Sequence, residues 1–271
     1  MRFAICNEIF KGWDVHRMCA FVRQAGYEAL EVAPFMLAPL VTDITAAQKA
    51  ELRQAVKNEG LSISGIHWVL AFTEGMHVNH PNPEWCKRAS DYLAEAVRFC
   101  AEIGGTHMIF GSPKRREILP GVTPEQAVEW ALDTFRPAIR QAEKSGVTIC
   151  MEPLGMNETN FLQTAHEAIE FVKLAQSPAF RIMLDVKAMC SEETPIPEII
   201  KASAPYTAYF HANDRSLKGP GFGDTDFVPI AAALKETGYN GYVSVEVFNF
   251  DDGPEAIATR SRQYLRQVFG E

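Results

Sequence analysis

No run of about eighteen apolar residues occurs in the chain, so no membrane-spanning helix is expected. The opening stretch, MRFAICNEIFKGWD, lacks the basic start, apolar run and small-residue cleavage site of a signal peptide, and it reads instead as a first strand. The six cysteines (Cys6, Cys19, Cys86, Cys100, Cys150 and Cys190) form no C-x-x-C and keep no regular spacing. Several lie in apolar runs, where a free thiol packs as a small hydrophobe, so a reduced protein of the cytoplasm is the expectation. The 26 basic residues form no broad cluster; the densest group is Lys114, Arg115 and Arg116, and the formal net charge is −8. A polyanion such as DNA needs a wider basic face, which argues against a nucleic-acid partner. Linkers, low-complexity segments and breaks in composition are missing too, so residues 1–271 read as one domain.

What is present is a rhythm. Short β-rich runs at Arg2–Cys6, Ala29–Val32, Ser62–His67, His107–Gly111, Thr148–Glu152, Arg181–Asp185, Thr207–His211 and Tyr242–Val247 alternate with longer amphipathic ones. Thr123-Pro124-Glu125-Gln126 opens a helix with an N-cap, a proline at the first helical position and acidic or amide residues in the first turn. A second helix starts at Pro83-Glu84, runs to Ile103 and stops at Gly104-Gly105; others end at Gly26, Gly60, Gly146 and Gly238. Repeated βα units predict a parallel sheet, and eight of them in 271 residues match a closed (β/α)8 barrel. The rival doubly wound sheet would carry a glycine-rich phosphate loop after the first strand, which Cys6-Asn7-Glu8-Ile9 does not resemble. A barrel places its active site at the C-terminal ends of the strands.

The last four strands end in Met151-Glu152-Pro153, Leu184-Asp185-Val186, Phe210-His211-Ala212 and Val245-Glu246-Val247. Each offers one carboxylate or imidazole where an apolar strand meets a loop. Any one of them alone is explained by a helix cap or a salt bridge; together, at consecutive strand ends, they converge on the barrel axis. Three carboxylates so placed repel one another in a low-dielectric mouth, and a divalent cation removes the conflict. The oxygen-rich set with one nitrogen suits Mn²⁺ first, then Mg²⁺ or Co²⁺, and is acceptable to Zn²⁺.

The stretches MEPLGMNETNF, IMLDVKAM, YFHANDRS and GYVSVEVF, in that order, resemble the xylose-isomerase-like barrel superfamily, in its sugar phosphate isomerase/epimerase branch that includes ketose 3-epimerases and hydroxypyruvate isomerase. The resemblance runs along essentially the whole chain and is richest in motifs from about residue 148 onward. It implies that Glu152, Asp185, His211 and Glu246 are the ligands of one divalent metal. It also implies that Glu152 and Glu246 act as acid and base, moving a proton alpha to the carbonyl of a keto-sugar or sugar phosphate through a metal-stabilised enediolate. Members of the family are often dimers or tetramers, so a homodimer or homotetramer is expected around a small carbohydrate substrate.

The resemblance further implies that Glu158 touches substrate hydroxyls; read alone, it equally caps a helix opening near Asn160. Arg215 holds a substrate hydroxyl or phosphate, or else pairs with Asp185 or Asp214. His67 and Trp68 end the third strand as a pair fit to hydrogen-bond and stack on a polyol, or simply to pack. One departure stands out. Ketose 3-epimerases commonly place a substrate-binding histidine three residues after the aspartate ligand, where this chain has Ala188 beside Lys187. Lys187 then contacts a carboxylate, a phosphate or a 3-keto group, or points to solvent. His107 starts its strand at the barrel bottom and reads as structural, whereas Asn7 and Glu31 lie on strands that lead to the mouth. Residues 69–82, with Phe72, Met76, His77 and His80, form a long connection that reads as a lid. Asn213 and Asp214 read as supporting or turn residues, and the glycine-rich run from Lys218 to Asp226 either lets backbone approach the ligand or turns toward a helix near Val228.

Two other activities share this pattern. A lyase or dehydratase of the same superfamily, acting on an inosose or 3-keto-sugar, begins with the same α-proton abstraction. An endonuclease on this barrel needs several zinc ions and more strand-end histidines than the seven histidines of this chain supply.

Overall fold

A computed structural model describes residues 1–270. Eight parallel strands close into a barrel in chain order: β1 (Arg2–Cys6), β2 (Ala29–Val32), β3 (Ser62–Ile66), β4 (His107–Phe110), β5 (Thr148–Met151), β6 (Phe180–Asp185), β7 (Thr207–Ala212) and β8 (Tyr242–Val245). The ring closes where β8 pairs with β1, Ser244 opposite Ala4 and Val245 opposite Ile5. Helices α1 (Val15–Gln24), α2 (Ala46–Asn58), α3 (Pro83–Ile103), α4 (Pro124–Ser145), α5 (Ala165–Leu174), α6 (Val186–Met189), α7 (Ile196–Ser203), α8 (Phe227–Glu236) and α9 (Pro254–Phe269) surround it. This is the (β/α)8 barrel expected from the sequence. Among the described residues no helix is long and apolar enough to cross a membrane.

The helix boundaries follow local chemistry. Asn82 caps α3 by accepting from the Glu84 N–H, with Pro83 in the first turn, and the helix ends on Gly104 in the left-handed conformation. Thr123 and Gln126 cap α4 reciprocally. Strand ends differ slightly from the expected ones. β5 stops at Met151 and β8 at Val245, one residue short of Glu152 and two short of Val247. The backbone stays anchored one residue further, since Glu152 N–H donates to the Phe110 carbonyl (3.1 Å) and Glu246 N–H to the Ala212 carbonyl (3.3 Å).

The core has two layers. A large one packs the outer faces of the strands against the helices. A small one, Ala4, Ala29, Ile109, Cys150, Met183, Tyr209 and Tyr242, draws one residue from each of seven strands, which places it inside the barrel. Side chains alternate along a strand, so the residue two positions after each of these also points inward, at the mouth.

Candidate metal centre

Two residues beyond Cys150, Met183 and Tyr209 stand Glu152, Asp185 and His211, and on β8 the same face runs Tyr242, Ser244, Glu246. Ligand-type atoms of Glu152, Asp185, His211 and Glu246 all lie within 4.8 Å of one another, and all four side chains are buried. Asp185 is pinned through both oxygens: Oδ1 accepts from the Ala188 N–H (2.8 Å) and Oδ2 from Asn213 Nδ2 (2.6 Å). Asn213 Oδ1 in turn accepts from the Lys187 N–H (2.8 Å), which ties β7 to the first turn of α6. His211 Nε2 lies 3.0 and 3.2 Å from the two oxygens of Glu31. An ionised carboxylate only accepts, so Nε2 carries a proton and Nδ1 is the atom turned to the centre. There it lies 3.1 Å from Glu246 Oε2 and 3.8 Å from Asp185 Oδ2.

His211 Nδ1 and Glu246 Oε2 are buried, and neither has a partner in hydrogen-bond geometry. Two unsatisfied atoms 3.1 Å apart, within a ring of further carboxylate oxygens, are what a shared cation satisfies. The residues therefore fit one divalent metal. Without a cation the same groups press on one another's charges. Burial first, then Glu246 and Asp185, push the Glu152 carboxyl up to about 8. Asp185 is raised by burial and Glu246, with Lys187 opposing. The His211 imidazole is held well above its ordinary range because Glu31 and Glu246 outweigh its burial. Glu246 goes the other way, drawn down by His211 despite burial.

Below and beside this cluster lies a second group of charges. Glu31 on β2 is fully buried in the barrel under His211; it also accepts from Tyr209 Oη (2.9 Å) and lies 3.4 Å from His67 Nδ1. Tyr209 Oη continues to Ser64 Oγ (2.7 Å). His67 Nε2 faces Glu8, 3.0 Å from each oxygen. Burial depresses His67, but Glu8 and then Glu31 outweigh it and hold the imidazole up to about 9. The two histidines likewise keep Glu31 well below the usual carboxylate range against its burial. Glu31 was legible as a residue heading for the mouth; Glu8 was missed. Glu8 lies in a short 3₁₀ helix, Asn7–Phe10, directly after β1, where strand alternation no longer applies, and in the same helix Asn7 Oδ1 accepts from the Ala33 N–H (2.7 Å).

The cavity at Glu152 and Glu246 is small, about 60 Å³, and is lined also by His67, Trp68, Glu158, Lys187 and Phe248 among others. It shares Glu158, Lys187 and Phe248 with an outer cavity of about 690 Å³ that reaches Asn157, Ser191 and Arg215. Lys187 Nζ bonds Glu158 Oε1 (2.8 Å) and sits 4.2 Å over the Phe248 ring, so it faces the site and not solvent. Glu158 is no helix cap: α5 opens at Ala165 under Thr164. Both nitrogens of His67 are directed at carboxylates, and His67 and Trp68 both line the small cavity; the buried Trp68 Nε1 has no hydrogen-bond partner. Trp68 takes a left-handed backbone (φ 57°), as does Phe72 (φ 61°), and their rings stack at 6.5 Å in the connection after β3. His107 lies at the other end of the barrel, 3.1 Å from the Ser64 carbonyl.

The segment after β7 divides in the same way. Arg215 is exposed at the rim beside Cys190 and pairs with neither Asp185 nor Asp214. Asp214 instead folds the loop, accepting from the Ser216 and Thr225 N–H groups (2.8 and 2.9 Å). Gly223 is required by that fold, since a Cβ there would stand 1.9 Å from Asp214 Oδ1. The glycines of this run serve the turn that leads to α8.

Comparison with known proteins identifies the family and the fold. Residues 19–268 match the Xylose isomerase-like TIM barrel family, and the chain belongs to it. Among curated proteins it is 28% identical over 230 residues to a D-psicose 3-epimerase of Ruminiclostridium cellulolyticum, covering 84% of this chain and 76% of the relative. It is 26% identical to a ketose 3-epimerase of Arthrobacter globiformis, covering 84% and 75%. Among solved structures, D-psicose 3-epimerase with D-tagatose from Clostridium cellulolyticum superposes with a TM-score of 0.86 at 21% identity over 99% of each chain. The 3-keto-D-glucoside 4-epimerase of E. coli does so with a TM-score of 0.83 at 18% identity over 100% of each. These structural likenesses establish the fold.

Proposed function

We propose that the chain is a divalent-metal-dependent epimerase of keto-sugars, with Glu152, Asp185, His211 and Glu246 holding the metal. The observation that carries this reading is the convergence of four buried donors within 4.8 Å, two of their atoms unpartnered. The 3-epimerase relatives support the substrate class. A bound Mn²⁺ or similar ion supplies Lewis-acid polarisation of the substrate carbonyl, which favours loss of the adjacent carbon-bound proton as the enediolate.

The protein's own groups do the rest. Glu152 on β5 and Glu246 on β8 stand three strands apart around the ring, so their carboxylates approach the small cavity from different sides. One removes the proton alpha to the carbonyl and the other returns one to the opposite face, which inverts that carbon. Glu31 holds the His211 ring, and Asn213 with the Ala188 N–H hold Asp185, so the donors need little reorganisation. The Glu158–Lys187 pair offers an acceptor and a donor to substrate hydroxyls, Trp68 and Phe248 wall the cavity, and Arg215 stands at its outer rim.

The test is deuterium incorporation from D₂O at the carbon beside the carbonyl, across D-psicose, D-fructose, a ketose phosphate and an inosose. Incorporation with inversion in a ketose, abolished by chelation and restored by Mn²⁺, is the expected result. Loss of water from the substrate would assign the chain to the dehydratases instead, and no incorporation in any compound would overturn the reading.

A further inference from the structure

The basic group Lys114, Arg115 and Arg116 follows Gly111-Ser112-Pro113 at the end of β4. Its third member is not a surface residue. Arg116 is fully buried and heads the largest side chains of the interior. A guanidinium taken out of water is costly unless hydrogen bonds or a paired carboxylate compensate it. Among the described residues no carboxylate is hydrogen-bonded to Arg116. Nη1 donates to the Glu152 carbonyl (2.7 Å) and lies 3.5 Å from Met151 Sδ, Nη2 donates to the Leu162 carbonyl (3.2 Å), and the buried Nε has no hydrogen-bond partner. The Arg116 carbonyl accepts from Asn79 Nδ2 (2.9 Å), so the connections after β3, β4 and β5 are joined through this one residue.

Gly111 grips the other end of the same glutamate. A Cβ at position 111 would stand 2.3 Å from Glu152 Oε2, so the carboxylate lies where only a glycine leaves room. One short segment therefore holds the backbone of Glu152 through Arg116 and, at Gly111, leaves the space its carboxylate occupies. Glu246 has no comparable seat; its N–H follows the Ala212 carbonyl and its carboxylate faces His211. The support is one-sided.

We propose that Arg116 and Gly111 are positioning residues for Glu152, setting its carboxylate for cation binding and for proton transfer on one face of the substrate. The inference rests on the reading of Glu152 as ligand and acid/base. In the two-base exchange each carboxylate takes the carbon-bound hydrogen of one epimer and gives back a proton to the same face. Disturbing Glu152 alone slows one face and leaves the other.

The experiment uses the full chain with Gly111→Ala, Arg116→Met and Arg116→Lys. Mn²⁺ is titrated by calorimetry, and D-psicose and D-fructose are each incubated in D₂O. The expected result is Mn²⁺ affinity about tenfold or more weaker, as for loss of a residue that orients a ligand. For one epimer only, the deuterium gained by recovered substrate rises relative to product formed, because the Glu246 face still exchanges while Glu152 fails to complete the transfer. Arg116→Lys falls between wild type and Arg116→Met. Gly111→Ala removes no buried hydrogen bond and carries the test even if an Arg116 variant fails to fold. Folded variants that bind Mn²⁺ like wild type overturn the inference, as does an exchange ratio unchanged or raised equally for both epimers. A wild-type chain that neither binds Mn²⁺ nor exchanges overturns the underlying site assignment instead.

Discussion

The two halves of the barrel mouth carry similar residues and use them differently. Strands β1 to β3 lead to Glu8, Glu31 and His67, all buried, and these groups are directed mainly at one another or at His211, although His67 Nδ1, 3.4 Å from Glu31, also lacks a partner in hydrogen-bond geometry. Strands β5 to β8 bring Glu152, Asp185, His211 and Glu246 together, also buried, with His211 Nδ1 and Glu246 Oε2 left unsatisfied. A charge that finds its partner inside the protein becomes a brace; one held apart from any partner is available to a ligand. The first half braces, and the second half is poised to bind.

Substitutions that attack the binding half should have the largest effects. If Glu152 and Glu246 serve as proposed, Glu152→Gln or Glu246→Gln would remove both a donor and an acid/base, and exchange of the carbon-bound hydrogen should fall by about 10²–10⁴-fold, read by deuterium wash-in. Attacking the brace costs less: Glu31→Gln leaves the four donors in place but loosens His211, and Mn²⁺ affinity should fall by about 10–100-fold in a calorimetric titration. Acid attacks the same cluster by protonation. The Glu152 carboxyl is raised to about 8, so its neutral form gains below that pH. A metal requires the carboxylate, and the His211 imidazole, also held up, must give up its own proton to ligate, so apparent affinity should weaken by at least about tenfold per unit as pH falls below about 8. Affinity that stays flat across that range would place Glu152 outside the set. Arg215→Ala touches neither half: it is an exposed rim residue, and only a few-fold rise in KM at constant kcat, about 1 kcal/mol or less, is expected.

The binding half was also the half that could be read in the sequence. An acid or histidine at the end of an apolar run announces itself, and the order of β5 to β8 put four of them in a row. The brace was harder to see. Glu31 sits within a strand and needs the ring closed before it meets His211, on a strand 180 residues away in sequence. Glu8 lies past the end of β1 in the 3₁₀ helix Asn7–Phe10, where the strand's alternation gives no guide to its direction. Arg116 reads as one of three surface cations until the β5 connection folds over it. His67 was found, but its partners were not, because a histidine's role is fixed by what its second nitrogen meets. The helix boundaries and eight strands came from local signals; the pairings across the mouth came from closure.

The account stands on one cation at the mouth. Calorimetric titration of the chelated chain with Mn²⁺, beside Glu246→Gln, tests it most directly. One ion bound per wild-type chain, with affinity markedly reduced in the variant, is the predicted result. A wild-type chain that binds no divalent ion, or a Glu246→Gln chain that binds it as tightly as wild type, would contradict it.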